Sequence, residues 1–355
     1  MSKIQFGIIG TGSMANWHAR QIMESNLAQV AAVCDVEKVR AQTFATRYNI
    51  ERVYDKFERM IAEGGLDAIS ITTSNDVHHD AALAALNARL HVMCEKPLAM
   101  NVHEAQDLVD AANAAGVIHA VNFTHRNTPC FTLARKFISA GYIGQPYHVQ
   151  ADYLQDWLLA SERSTSSTPV SSRHIWRMDK RFAGSGQLGD LGAHVLDLLY
   201  GLVGDYASVS ALLPVFRGLH TSDPLPPEQI TDDACALLLD FQSGAVGEVV
   251  TSRIANGMGD SIAVRMYGHE GALVLDDRKP TEVYACLGKA ALERRTWTTY
   301  TITEREYESN PMIQFIQGIA TNQQPSFSFV DGLRVQRVMD AAISSYQTGQ
   351  RVMLS

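Results

Sequence analysis

Short apolar runs alternate with helix-like segments through the first third of the chain. The runs are rich in β-branched residues, and the segments between them, such as VHHDAALAALNA and VHEAQDLVDAANAAG, carry apolar residues at helical spacing. The five runs are IQFGII, AQVAAV, LDAISITT, HVMCE and VIHAVNF. Strands that alternate with helices form βαβ units around a parallel sheet. The pattern predicts a doubly wound α/β domain over residues 1–124.

The pattern changes beyond about residue 145. Longer strands with few helices between them follow, and the turns QSGA and GHEGA have the chemistry of hairpins. These strands are YHVQADYLQDW, ACALLLDFQSG, AVGEVVTSRIA, SIAVRMYG and ALVLDD. Residues 125–355 therefore predict an α+β domain with a large, mainly antiparallel open sheet. Helices are predicted near 190–202, 311–321 and 330–347, and a mobile loop over the Ser- and Thr-rich segment 161–173.

A glycine-rich turn follows the first strand, with the sequence Gly10-Thr11-Gly12-Ser13-Met14-Ala15. In a dinucleotide-binding turn of this kind Gly10 allows the tight turn, Gly12 lets the backbone approach a pyrophosphate, and Ala15 takes the place of the third glycine. A helix that opens near Ser13 offers N–H groups to phosphate. Such turns also occur for structural reasons alone, so the motif needs a second observation.

Asp35 supplies that observation, because it ends the second apolar run about 25 positions after Gly10. A carboxylate there accepts the ribose hydroxyls of an adenosine, although it could also be a plain polar strand end. The pairing indicates a Rossmann domain. NAD is expected over NADP, because Asp35 would repel a 2′-phosphate. Lys38 and Arg40 lie close enough in sequence to admit NADP as well.

Composition narrows the classes of protein. The chain has 355 residues, a net charge of −8 and 46% hydrophobic residues, which suits a two-domain enzyme and gives no sign of nucleic-acid binding. We expect no membrane partner, since no apolar run approaches the roughly 18 residues of a spanning helix, and MSKIQFGII lacks the features of a signal peptide. Five widely spaced cysteines without a CxxC pair indicate reduced thiols, a cytoplasmic location and no metal site.

Lys96 follows the apolar run HVMCE within Glu95-Lys96-Pro97. Open α/β sheets bind ligands outside the carboxyl ends of their strands, so Lys96 is expected in the same crevice as the Gly10 turn. Pro97 restricts the backbone of Lys96 and makes its direction reproducible. Without this context, a lysine before a proline would be read as a solvated surface charge.

A third cluster lies in the segment GQLGDLGAHVLD, residues 186–197, which leads into a helix. Asp190, His194 and Asp197 are spaced i, i+4 and i+7, which places them on one helical face that we expect to line a pocket. Asp190 could instead be a first-turn acid, and His194 a satisfied core histidine. Histidine suits the task of accepting a hydroxyl proton at neutral pH.

Together these motifs resemble the Gfo/Idh/MocA oxidoreductases, a likeness that spans the chain. The segments that carry it are GTGSMA, TTSNDVHHDAALAAL, HVMCEKPLA, NFTHRNTP and GDLGAHVLD. The resemblance implies hydride transfer between a sugar or polyol carbon and nicotinamide. It implies that Lys96 bonds the reacting hydroxyl, His194 accepts the proton and Asp190 contacts substrate. It also implies cofactor contacts from Ser74, Asn75, His78, Glu95 and Asn122 or Phe123. Ser74 stands where many relatives have proline.

A narrower likeness concerns the segments YLQDW and WRMD, which look like the subgroup of levoglucosan dehydrogenase and glucoside 3-dehydrogenases. Indole faces suit the C–H surface of a pyranose, and neighbouring polar side chains could read its hydroxyls. The candidate substrate-binding residues are Tyr153, Gln155, Trp157, Trp176 and Arg177. The two tryptophans could alternatively anchor the ends of loop 161–173.

These observations predict an NAD-dependent enzyme that oxidises a ring secondary hydroxyl, most simply at C3, of a pyranose, glycoside or anhydrosugar. Other functions remain open: an inositol or polyol dehydrogenase, a glycosidase that uses NAD in a redox cycle, and a nucleotide-sensing regulator without catalysis. Intact Lys96 and His194 argue against the regulator. A homodimer or homotetramer is expected from the family, in which the outer sheet face often forms the oligomer interface.

Overall fold

A computed structural model describes residues 2–159, 175–216, 225–303 and 310–354. The predicted loop 161–173 lies outside these residues. The chain divides into two compact units, of which the first combines Met1–Phe123 with Ser309–Gln336 and the second combines Thr124–Glu308 with Arg337–Ser355. The division after Phe123 lies next to the predicted boundary at 124. The prediction of one continuous domain from 125 to 355 missed the return of 309–336 to the first unit.

The first unit contains a six-stranded sheet whose order is β3-β2-β1-β4-β5-β6 and whose paired strands all run parallel. This is the strand order of a Rossmann fold. The strands are β1 Ile4–Ile9, β2 Ala28–Cys34, β3 Arg52–Tyr54, β4 Ala68–Ile71, β5 His91–Cys94 and β6 His119–Val121. The apolar runs predicted five of them. The three-residue β3 was missed because Arg-Val-Tyr is too short to show a period.

Helices cover the sheet of the first unit through their apolar sides, as in α1, which buries Ala15, His18, Ala19 and Ile22. They are α1 Ser13–Glu24, α2 Lys38–Tyr48, α3 Phe57–Ala62, α4 His78–Asn87 and α5 Val102–Ala115. Asn101 caps α5 by accepting the N–H of Glu104 at 3.0 Å.

Residues 310–336 pack against the first sheet and bond its edge strand β6. The N–H of Val121 in β6 donates to the carbonyl of Phe327 at 2.8 Å, and Phe315 packs edge-on against Phe6 of β1. His119 Nδ1 accepts the N–H of Phe329 at 3.0 Å. These contacts join residues more than two hundred positions apart, so no local sequence pattern predicts them.

The second unit contains a nine-stranded sheet with the order β14-β13-β12-β11-β7-β10-β9-β8-β15. All its pairs are antiparallel except β7 with β10. The strands are β7 Pro146–Gln155, β8 Tyr206–Leu212, β9 Ala234–Phe241, β10 Val246–Ser252, β11 Asp260–Gly268, β12 Gly271–Asp276, β13 Glu282–Leu287, β14 Thr298–Thr301 and β15 Val352–Met353. The predicted hairpins join β9 to β10 and β11 to β12. The predicted mainly antiparallel sheet is therefore confirmed.

The described part of the second unit also contains α-helices. They are α6 Pro129–Ser139, α7 Lys180–Ala183, α8 Ala193–Val203 and α9 Lys289–Arg294. The last two helices of the chain are α10 Pro311–Thr321 in the first unit and α11 Phe329–Thr348, which crosses the division at Gln336. Both were predicted within one residue.

All five cysteines are buried and free. Within the described residues, no helix has the length and apolar character of a membrane span. The same residues contain no group of three His, Cys, Asp or Glu side chains placed to hold a metal ion.

Candidate functional site

The glycine-rich turn leaves open space where a phosphate-binding turn needs it. Gly10 has a φ of +89°, and a Cβ there would lie 2.8 Å from the carbonyl oxygen of Thr72. A Cβ on Gly12 would meet nothing within 4 Å. No side chain caps the first turn of α1, which begins at Ser13. The turn is thus an open, N–H-lined cradle at the start of a helix.

Asp35 lies at the end of β2 and is bonded to the glycine-rich turn. Its Oδ2 accepts the N–H of Thr11 at 2.9 Å and the Thr11 hydroxyl at 2.5 Å, and its Oδ1 accepts the N–H of Glu37 at 2.9 Å. Burial alone would raise the pKa of Asp35, but these hydrogen bonds and the Arg40 guanidinium lower it. Asp35 is therefore an ionised acceptor beside the cradle.

The Arg40 guanidinium lies 3.1 Å from Oδ1 of Asp35. The Asp35 carboxylate is therefore already paired with Arg40, the residue that the sequence suggested as a partner for a 2′-phosphate. This contact agrees with the expected preference for NAD.

Lys96 is partly exposed, whereas Glu95 and Pro97 on either side of it are buried. Oε1 of Glu95 accepts Nδ2 of Asn122 at 2.7 Å and lies 2.9 Å from Nε2 of His18. The predicted residues Glu95 and Asn122 are thus bonded to each other directly after the carboxyl ends of β5 and β6.

The loop after β4 contributes three further predicted residues. Ser74 precedes a 3₁₀ turn over Asn75–Val77, and Asn75 is buried. The loop begins at Thr72, against which Gly10 packs. His78 is fully buried, and its Nδ1 lies 2.8 Å from the carbonyl oxygen of Pro97. Its position suits support of the Lys96 turn better than direct contact with a cofactor.

A π turn interrupts the predicted helical face: Asp190 lies in this turn, whereas His194 and Asp197 lie three residues apart in one α-helix. Residues Leu188–Gly192 form a π-helical turn, and the α-helix begins only at Ala193. A π turn holds one residue more per turn, so the α-helical spacing does not apply across it. The α-helical spacing therefore holds for His194 and Asp197, and a face shared by all three residues stays a prediction.

His194 lies in an aromatic cluster of the second unit. Its ring centroid is 4.7 Å from that of His125 and 6.1 Å from that of Tyr153, and the residue is 6% exposed. The Tyr153 hydroxyl lies 3.3 Å from Nε2 of His125 and accepts Nε2 of Gln155 at 3.3 Å. Burial raises the pKa of Tyr153, and the charges of Asp260 and Asp190 add to the effect, so the phenol stays protonated.

Asp190 and Asp197 have separate arginine partners. Nε of Arg177 lies 3.5 Å from Oδ2 of Asp190, and the Arg177 guanidinium lies 4.6 Å from the Trp176 ring centroid. Asp197 is 1% exposed and accepts Nε of Arg126 at 2.9 Å. Asp190 thus belongs with two predicted substrate residues, while Asp197 forms a buried structural ion pair.

Trp157 and His125 both lie in the second unit. Trp157 is half-buried and lies just beyond the end of β7. His125, beside His194, was missed as a functional candidate although the segment NFTHRNTP drew attention to it. The sequence could have indicated His125, because this histidine lies just after the last strand of the Rossmann pattern.

Comparison with known families decides the class of protein. A model described as "Oxidoreductase family, NAD-binding Rossmann fold" matches residues 4–123, and the GFO/IDH/MocA C-terminal domain matches residues 131–274. The chain belongs to the Gfo/Idh/MocA family. It is an NAD-dependent oxidoreductase.

Individual relatives of this family member cover nearly the whole chain. Levoglucosan dehydrogenase of Pseudarthrobacter phenanthrenivorans is 29% identical over 97% of this chain and 96% of its own. D-Glucoside 3-dehydrogenase of Escherichia coli is 26% identical, with 99% and 98% coverage. A levoglucosan dehydrogenase structure in complex with NADH superposes with a TM-score of 0.89 at 28% identity, covering 100% of both chains.

The first unit fits NAD on its own geometry. The open cradle at Gly12 and the uncapped start of α1 would accept a pyrophosphate, and the ionised Asp35 would accept ribose hydroxyls. These residues would hold the cofactor.

Proposed function

We propose that this oxidoreductase removes hydride from a ring secondary hydroxyl carbon, most simply C3, of a pyranose, glycoside or anhydrosugar. The observation that carries the proposal is the cluster of His194, His125 and Tyr153, which puts a proton acceptor among flat rings. Such rings suit the C–H faces of a pyranose, and the levoglucosan and glucoside relatives agree with this choice.

His194 is the proton acceptor in this proposal. A neutral imidazole takes the proton of the reacting hydroxyl, and the neighbouring Tyr153 cannot compete for it because its phenol stays protonated. Lys96 donates a hydrogen bond to the same hydroxyl and stabilises negative charge as it develops on the oxygen. NAD, when bound, supplies the hydride acceptor.

Asp190 and Arg177 are proposed to orient the sugar. Asp190 is an acceptor for hydroxyls, and Arg177, which lies against Trp176, offers donors beside an indole face. Gln155 donates both to Tyr153 and to Asp260 Oδ1, the latter at 2.9 Å, so its amide orientation is fixed. We propose that this group and Trp157 read the hydroxyl pattern of the ring.

We also propose a homodimer or homotetramer built through the outer face of the nine-stranded sheet. Seven exposed apolar residues of the described strands lie on this face, namely Leu212, Leu238, Val246, Val250, Tyr267, Tyr284 and Met353. They lie among polar residues such as Gln150, Glu248 and Arg265, and exposed apolar side chains mixed with polar ones suit a protein interface.

NADH fluorescence tests the proposed function. Purified protein and NAD are mixed with levoglucosan, methyl glucosides, free hexoses, inositols and acyclic polyols. We expect NADH to accumulate with a pyranoside or anhydrosugar. Activity confined to inositols or acyclic polyols would contradict the substrate class, and release of free sugar without net NADH would instead identify a redox-cycling glycosidase.

A further inference from the structure

Two fully buried histidines hold the turn that carries Lys96. His18 lies on the buried side of α1, and His78 is the first residue of α4. Each ring bonds a neighbour of Lys96 in the sequence, His18 the carboxylate of Glu95 and His78 the carbonyl of Pro97. The chemistry proposed above uses Lys96 and gives His18 no part.

His18 is fixed at both ring nitrogens. Nδ1 lies 2.7 Å from Oγ of Ser70 in β4, and Nε2 lies 2.9 Å from Oε1 of Glu95. Ser70 is also fully buried, in a strand paired on both sides. Because both nitrogens are engaged, the ring cannot rotate without breaking a buried hydrogen bond, and such breaks are costly.

Glu95 passes this constraint to Lys96. Its Oε1 also accepts Nδ2 of Asn122 at 2.7 Å, while its Oε2 accepts the backbone N–H of Lys96 at 3.3 Å. Burial alone would raise the pKa of Glu95, but the hydrogen bond and charge of His18 lower it, so the carboxylate is an ionised acceptor. One side chain therefore connects His18 with the backbone from which the Lys96 side chain leaves.

His78 anchors the other side of the turn. Its Nδ1 lies 2.8 Å from the carbonyl oxygen of Pro97. The backbone is thus held immediately before and immediately after Lys96, by side chains from two different helices. Rigid support of this kind is what an ammonium group needs when it must meet one hydroxyl.

We propose that His18 is a positioning residue for Lys96: it holds the Glu95 carboxylate, which fixes the backbone of the Glu95–Lys96–Pro97 turn and so the place of the Lys96 ammonium. The inference rests on the role proposed for Lys96 in substrate oxidation. His18 itself touches neither the substrate hydroxyl nor the hydride in this account.

The test observes Lys96 directly, without a substrate. Lysines are reductively methylated with ¹³C, which keeps their charge, and the Lys96 resonance is assigned by its absence in Lys96→Met. The variants are His18→Leu, which removes both bonds, and His18→Gln, whose amide can still donate to Glu95. His119→Leu is the matched control, because His119 is another buried histidine of the first unit that bonds Phe329 instead.

In His18→Leu we expect the Lys96 resonance to shift or broaden while the other lysines keep their positions. With the best sugar of the panel above, kcat should fall about 10²-fold, the scale of a small misplacement of a catalytic group. NAD affinity, measured by equilibrium dialysis, should change little. His18→Gln should restore the resonance and most of kcat, and His119→Leu should leave the Lys96 resonance unchanged.

A Lys96 resonance in His18→Leu that matches the wild-type position would overturn the inference. If His18→Leu does not fold, His18→Asn replaces it, because its shorter amide reaches Ser70 but not Glu95. The Lys96 resonance and kcat of His18→Asn must then differ from those of His18→Gln. Equal values in these two variants overturn the inference as well. Full turnover in Lys96→Met would instead overturn the role proposed for Lys96. This result is distinct from failure of the His18 inference, in which turnover still requires Lys96 but the Lys96 resonance of His18→Leu is that of the wild type.

Discussion

At the scale of single residues, Asp35 decides between the two nicotinamide cofactors. Its carboxylate is 6% exposed, bonds the glycine-rich turn through Thr11 and neutralises Arg40. A 2′-phosphate would meet this negative charge, whereas plain ribose hydroxyls would find an acceptor. One residue thus links the shape of the cradle to the choice of ligand.

Asp35→Ser should therefore narrow the preference for NAD over NADP. Loss of a charged acceptor costs about 1.5–3 kcal/mol, so kcat/KM with NAD should fall about 10- to 100-fold, while Arg40 becomes available to NADP. Steady-state kinetics with both cofactors measure the ratio. Asp55→Ser, at an exposed surface carboxylate, is the control and should change neither value. An unchanged ratio in Asp35→Ser would count against the assignment.

His194 carries the proton chemistry at the same scale. His194→Ala should lower turnover about 10²- to 10⁴-fold, the range of general acid–base catalysis, because it removes the proposed proton acceptor. NAD binding should persist, since the cradle lies in the first unit. His269→Ala, at an exposed ring of the second unit, should keep full turnover. Near-normal turnover in His194→Ala would remove His194 from the mechanism.

At the scale of elements, the π turn Leu188–Gly192 puts Asp190 outside the α-helix that carries His194 and Asp197. The periodicity predicted a helix here correctly but assumed α spacing from Asp190 onward. The entry to the turn is fixed by Asp232, whose carboxylate accepts the N–H groups of Gly186 and Leu188. That contact spans more than forty residues, so only the folded chain reveals it.

Gly186→Ala should distort this entry. A Cβ at this position would lie 2.0 Å from the carbonyl oxygen of Asp232. We expect a loss of about 2–3 kcal/mol in unfolding free energy from forced overpacking, together with lower turnover. Gly201→Ala in α8 is the matched control, because its Cβ meets only Arg135 Cδ at 4.0 Å. It should gain up to about 1 kcal/mol from helix propensity. Equal urea denaturation midpoints for the two variants would contradict this explanation.

The sequence predicted those elements that depend on neighbouring residues and missed those that depend on residues distant in the chain. The strands of the Rossmann pattern, the glycine-rich turn and Asp35 follow from short-range spacing and were predicted. β3 was missed because three residues show no period. The partners of Glu95 were missed because His18 and Asn122 lie far from it in sequence, and only the parallel sheet brings them together.

At the scale of the whole molecule, the return of 309–336 links the late chain to the stability of the first unit. His119 is 6% exposed and accepts the N–H of Phe329 through Nδ1. Burial lowers the pKa of His119 to about 4, although the charge of Asp331 opposes the shift. The fold therefore requires this imidazole to be neutral.

This requirement gives stability a pH dependence with a definite sign. The unfolded imidazole titrates near pH 6.5, so the native state binds fewer protons between pH 6.5 and about 4, and stability falls as the pH falls through this range. Protonation of His119 should lower the free energy of unfolding by about 3 kcal/mol at the acid end of this range. Urea unfolding of wild type and His119→Gln at several pH values isolates it, and the wild type should show the steeper loss. His103→Gln, at an exposed histidine, should follow the wild type. Parallel curves for wild type and His119→Gln would contradict the account.

We expect the outer face of the nine-stranded sheet to form the interface between subunits. The chain should sediment as a dimer or tetramer, and Leu238→Glu combined with Val250→Glu should yield a smaller species with an unchanged circular dichroism spectrum. Both side chains are exposed on this face, at 63% and 46%. Met23→Glu, on an exposed position of α1, should keep the assembly. An unaltered sedimentation coefficient in the double variant would place the interface elsewhere.

The central claim is oxidation of a pyranose ring hydroxyl with net reduction of NAD. The most direct measurement combines product NMR with NADH counting on the best sugar of the panel. We expect one NADH for each keto sugar, with the new carbonyl at C3 and with neither product formed by Lys96→Met. A carbonyl at C1 would contradict the C3 assignment, and a modified or cleaved sugar without net NADH would contradict the dehydrogenase reaction itself.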